Sequence, residues 1–126
     1  MTNEIESPQF ILKRAIEEWC NAQVLFNCPT WRGQPVARHL VEQLRHHPEI
    51  DEELIMLLSH KCQLVVAYSL VTLDMMDSPA VGNLPVELLA RTEKITEVTG
   101  SFREKMELGA FARRTERFWR QRHPLK

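Results

Sequence analysis

Residues 63–76 read Gln-Leu-Val-Val-Ala-Tyr-Ser-Leu-Val-Thr-Leu-Asp-Met-Met, and the conformation of this stretch decides the fold. Its β-branched residues (Val65, Val66, Val71, Thr72) would suit a strand. About 14 residues without a turn signal is long for one, since strands usually run 5–6 residues. Read as a helix, the stretch is apolar nearly all the way round, and a helix without a polar face belongs in the middle of a bundle. It is also too short and too polar to span a bilayer.

Working outward, periodicity and punctuation predict five further helices. Ser7 and Pro8 resemble an N-cap and a first-turn proline. Ile11, Leu12, Ala15, Ile16, Trp19, Ala22 and Phe26 then recur at spacings of three and four, which predicts a helix to about Cys28. After a turn at Trp31–Gly33, a second helix runs from about Gln34 to His46 with Val36, Ala37, Leu40, Val41 and Leu44 as its stripe. Asp51 opens a third, with Ile50 and Ile55 as a hydrophobic staple. Asn83 and Pro85 open a fifth, which Gly100 closes, on a stripe of Leu84, Leu88, Arg91, Ile95 and Val98. Ser101 to Glu104 reads as a capping box for a sixth helix ending near Arg122, with Leu108, Phe111, Ala112, Thr115, Phe118 and Trp119 on its apolar face. The expected fold class is all-α: one domain over residues 1–126, a compact array of about six helices.

Residues 36–41 (VARHLV) and 66–71 (VAYSLV) match at four of six positions, 30 residues apart. Each lies in the second helix of a pair, and over residues 10–76 the pattern resembles HEAT or armadillo-type helical repeats. It departs from them in lacking the inter-helix Asp and the basic residue at fixed offset, and no third copy is visible. The resemblance implies repeat-like helical hairpins and protein binding along a helical face. An orthogonal or irregular bundle accounts for the same spacing.

The formal net charge is −1, so no overall field recruits nucleic acid or acidic lipid. Position is more informative. Residues 1–112 hold 10 Lys or Arg against 16 Asp or Glu, whereas residues 113–126 hold six cations against Glu116 alone. Arg113, Arg117 and Arg120 line up on the outer face of the sixth helix, where cations also complement the negative helix terminus. Such a stripe can track phosphates or meet an acidic protein surface. No exposed aromatic is expected among them for base stacking. Three cysteines with no C-x-x-C pair, and an acidic, polar N-terminus, lead to the expectation of a reduced, cytoplasmic setting.

Signatures of catalysis are missing. There is no G-x-S-x-G elbow, no Gly-rich phosphate loop, and no local base beside Cys20, Cys28 or Cys62. His39, Glu42 and His46 share one helical stripe. Its ends are roughly 10 Å apart at 1.5 Å per residue, too far for both histidines to hold one ion. Neither a metal nor another cofactor is expected. Arg91 is the oddity, because an arginine interrupts an apolar row and a buried guanidinium needs a partner. Asp74, the one charge in 63–76, is the candidate.

These residues lead to three readings. The first is a non-catalytic helical interaction module that binds a protein partner or a second copy of itself, with Phe10, Val24, Leu25 and Met106 as surplus apolar surface. The second is nucleic-acid binding through Arg113, Arg117 and Arg120. The third is a small-ligand or enzymatic cleft around Arg91, with His60 beside it.

Overall fold

A computed structural model describes residues 7–27 and 35–124. The turn expected at Trp31–Gly33 and the thiol of Cys28 lie outside the described residues. The chain forms α1 (Pro8–Asn21), β1 (Leu25–Phe26), α2 (Val36–Leu44), α3 (Asp51–Met56), α4 (Gln63–Met75), α5 (Val86–Leu89), β2 (Lys94–Thr99), β3 (Phe102–Glu107) and α6 (Leu108–Arg122). Short 3₁₀ turns at Pro48–Ile50, Leu57–Ser59 and Pro79–Gly82 join them. The molecule is mainly helical with a small mixed sheet, so the all-α expectation holds only coarsely.

Residues 63–76 do form the central helix. Every residue of α4 from Leu64 to Leu73 is buried, against α1, α2, α3, α6 and the sheet. At roughly 1.5–3 kcal/mol for each large apolar side chain buried, this one helix supplies much of the driving force for folding. Two of its three hydroxyl-bearing residues, Tyr68 and Thr72, lie on one stripe and are hydrogen-bonded, whereas the buried Ser69 hydroxyl has no partner among the described residues. Thr72 Oγ1 donates to the carbonyl of Tyr68 at 2.8 Å, and the Tyr68 hydroxyl donates to the carbonyl of Val24 at 2.8 Å. Tyr68 stacks on Trp19 with ring centroids 5.6 Å apart, and Trp19 Nε1–H donates to the Ala37 carbonyl at 2.9 Å. The central helix thus ties α1, α2 and β1 together.

Ser7 caps α1 as expected, accepting from the Phe10 N–H at 3.2 Å, but α1 stops at Asn21 and does not reach Cys28. Phe26, placed by spacing on the helical stripe, instead lies in β1. There Leu25 and Phe26 pair in parallel with Glu97 and Val98, and the Phe26 N–H donates to the Tyr68 hydroxyl at 2.9 Å. Leu25, expected as surplus surface, is fully buried; Phe10 is exposed.

The fifth helix is the largest correction. Only Val86–Leu89 is helical, and residues 94–107 form an antiparallel hairpin with Thr99 opposite Phe102. Gly100 has φ 64° and Ser101 does not have positive φ, the pattern of a two-residue type II′ turn. Gly100 and Ser101 therefore do not end one helix and cap the next. The capping box is absent, and α6 begins at Leu108, with Glu107 extended before it. Sheet order is β1-β2-β3. The outer strand β3 carries Arg103, Glu104, Lys105 and Glu107, charges that oppose edge-to-edge pairing. Helix α5, only Val86–Leu89, still packs on α6.

The start of α6 packs closely on the end of α5. The Leu108 and Gly109 N–H groups donate to the carbonyls of Glu93 and Arg91, both at 2.8 Å. A Cβ at Gly109 would collide with the Leu89 carbonyl oxygen, so glycine is required by close approach there. This anchor sets the line along which α6 crosses α4.

Candidate anion-binding cleft

Helical spacing puts two stripes face to face. On α6, Phe111, Arg114, Thr115, Phe118 and Arg122 recur at three- and four-residue intervals; on α4, Val71, Asp74 and Met75 do the same. Together with Arg38 of α2 and Asn27 beyond β1, they line a cleft of about 470 Å³. Val71, Met75 and Phe111 supply its apolar surface, and three arginines and Asp74 supply its charge.

Arg38 is the most unusual of them, at only 5% exposed. It borders the apolar stripe of α2, three residues before Val41, so its stem packs inward. One nitrogen, Nη2, donates to Glu42 Oε2 at 3.1 Å and approaches the Met75 sulfur at 3.4 Å. The other two, Nε and Nη1, are buried and have no hydrogen-bond partner among the described residues. Leaving a buried charged donor unsatisfied costs of the order of 1–3 kcal/mol or more.

The other two arginines are paired. Arg114 Nη2 donates to Glu97 Oε1 at 2.7 Å, and Arg122 Nη2 donates to Asp74 Oδ1 at 2.6 Å. Glu97 is a buried carboxylate on β2 that also accepts from the Asn27 side-chain amide. It therefore neutralises Arg114 from behind and braces the cleft wall. Phe118 stands at the mouth, 45% exposed, with the Arg117 guanidinium carbon 5.4 Å from its ring centroid. An exposed aromatic thus does sit among the cations of α6, against the expectation from the helical wheel.

Arg113, Arg117 and Arg120 are exposed on α6 as the wheel predicts. Arg120 is partly committed: its Nε donates to the Gly82 carbonyl at 2.8 Å. Arg91 does not face Asp74. It lies in the turn between α5 and β2, ion-paired to Glu93 at 2.6 Å, and it donates to the carbonyls of His60 and Lys61 at 2.6 and 3.1 Å. The reason is the hairpin, which removes the helix that would have carried Arg91 inward. Arg91 braces the α3–α4 connection, and its guanidinium holds the Glu93 carboxyl below the usual carboxylate range. A smaller hollow of about 230 Å³ lies beside it, between Leu58, Pro85 and Leu88. His39 and His46 are exposed and Glu42 is taken by Arg38; among the described residues, no three His, Cys, Asp or Glu side chains converge on a metal position.

Sequence reasoning missed Arg38 and Glu97. A signal for Arg38 was present, an Arg–Glu pair at i, i+4 abutting an apolar stripe. Glu97 carried none while its segment was read as helix. Comparison with known proteins finds no matching family model, no matching curated protein and no matching solved structure.

Proposed function

We propose that the protein is a non-catalytic binding module that holds an anionic group of its ligand in the cleft between α2, α4 and α6. The observation that carries this reading is Arg38, a buried guanidinium bordering the cleft, two of whose nitrogens are closed to solvent and have no partner among the described residues. An oxyanion, phosphate or carboxylate, is the partner that best offsets such a group. The volume lies within the 300–1,000 Å³ range of small-ligand sites.

The lining supports binding over catalysis. Its two groups with acid–base or nucleophilic chemistry are already engaged: Asp74 holds Arg122, and the Thr115 hydroxyl donates to the Phe111 carbonyl at 2.9 Å. A protein partner, the occupant the sequence suggests, would present the anion as an acidic side chain.

Thermal unfolding in inorganic phosphate or sodium acetate, against sodium chloride at matched ionic strength, tests the anion seat. The wild-type midpoint should rise with the oxyanion, as mass action requires for any ligand of the folded state. Arg38→Met should lose that response while remaining folded, since Glu42 keeps Arg45 at 3.5 Å. Equal responses in the two proteins would remove the proposal.

A further inference from the structure

We infer that the group held against Arg38 is the phosphate of a nucleotide whose base stacks on Phe118. The inference rests on the anion-seat reading and adds a second, independent observation. Phe118 is a large aromatic left 45% exposed at the cleft mouth, on the same helical stripe as Arg114 and Arg122. On α6 these three residues fall at i, i+4 and i+8, so Phe118 sits roughly 6 Å along the helix from either arginine. The aromatic ring is flanked by cations on both sides. Arg117 lies over Phe118, which strengthens a stacking platform through the cation–π interaction.

The charge pattern suits a phosphate ester. Arg38, Arg114 and Arg122 line the cleft against Asp74 alone, while Glu42 and Glu97 stand behind two of the arginines. A dianion entering the cleft draws on Arg122, whose exposed guanidinium can turn from Asp74, and on Arg38, whose two unpartnered nitrogens are closed to solvent until its side chain shifts toward the cleft. The polar walls, Asn27 and Thr115, and the apolar walls, Val71, Met75 and Phe111, leave room for the sugar between the two ends. An acidic peptide side chain would use Arg38 but leave Phe118 without a role.

Calorimetric titration with inorganic phosphate, adenosine, AMP, a 5′-phosphorylated hexaadenylate and hexaglutamate separates the outcomes. AMP should bind about tenfold or more tightly than phosphate, the worth of one base stacked on an aromatic side chain. Phe118→Ala should erase that advantage and leave phosphate binding unchanged, and Arg38→Met should weaken both. Hexaadenylate binding more tightly than AMP, with a salt dependence that Arg113→Gln and Arg117→Gln reduce, identifies the source as a nucleic-acid strand. Equal affinities identify a free nucleotide. If phosphate binds and AMP binds no better, or if hexaglutamate binds while AMP does not, the nucleotide inference fails and the anion seat stands. If no anion binds, both fail.

Discussion

Replacing Tyr68 with Phe removes one oxygen and keeps the ring that stacks on Trp19. That oxygen makes two hydrogen bonds: it accepts from the Phe26 N–H at 2.9 Å and donates to the Val24 carbonyl at 2.8 Å. Both partners belong to the segment that carries β1, and both are only part-buried. Each bond contributes about 1 kcal/mol, and stranding its partner adds a share of the desolvation penalty, so the loss should be about 2–3 kcal/mol. At roughly 4 °C per kcal/mol for a domain of this size, the unfolding midpoint should fall by about 8–12 °C. Urea denaturation should show a lower midpoint at unchanged slope, and the Phe26 amide should exchange faster with solvent. The same hydroxyl can be followed by pH, because the chain has a single tyrosine. Burial pushes the Tyr68 phenol up to about 12, opposed in part by the Phe26 hydrogen bond and by Arg38. With a folded value above the ordinary 10, its stabilising contribution is complete below pH 10 and lost as pH rises through about 12. Phenolate absorbance should therefore appear late and together with unfolding. A Phe variant within 0.5 kcal/mol of wild type, or a phenol titrating near 10 in the folded protein, would refute the idea that α4 holds the strand through this group.

Two further outcomes follow from particular contacts. Gly109→Ala should destabilise by about 1–3 kcal/mol in urea titration, because the added methyl meets the Leu89 and Arg91 carbonyl oxygens; an unchanged midpoint would mean that α5 and α6 separate freely. His123, at the end of α6, donates from Nδ1 to the Trp119 carbonyl at 2.8 Å and faces the Asp77 carboxylate at 3.0 Å, both of which raise its pKa above the ordinary 6.5. The tie is complete below that ordinary value and weakens as pH rises through the raised one. NMR titration should place the His123 midpoint above 6.5, and a midpoint at or below 6.5 would contradict the contact.

The candidate site was only half legible. The two stripes that line it, Val71–Asp74–Met75 and Phe111–Arg114–Phe118–Arg122, are ordinary i, i+3, i+4 patterns, and a wheel finds each. A wheel cannot say that they face one another, nor that Phe118 stands at a mouth instead of in a core. Arg38 was passed over because a charge at the border of an apolar stripe reads as solvated until the helix packed above it is known. The Arg91–Asp74 pairing failed for a related reason. It assumed that Leu84, Leu88, Ile95 and Val98 share a helix, and the same four positions also accommodate a short helical turn followed by a strand.

What the sequence determined by itself was whatever local chemistry over-specifies. Residues 63–76 have no polar face to give to water, so they had to become the buried centre, and Ser7–Pro8 could begin α1 in only one way. What the tertiary structure decided was residues 94–107. There Gly100-Ser101 can end and cap helices or turn a hairpin, and Thr96, Val98 and Thr99 tolerate either. In the fold Leu25 and Phe26, some 70 residues away, pair with Glu97 and Val98, and the Tyr68 hydroxyl accepts from the Phe26 N–H. Hydrogen bonds between distant backbone segments leave no periodicity in either segment, and the cleft that depends on them shares that silence.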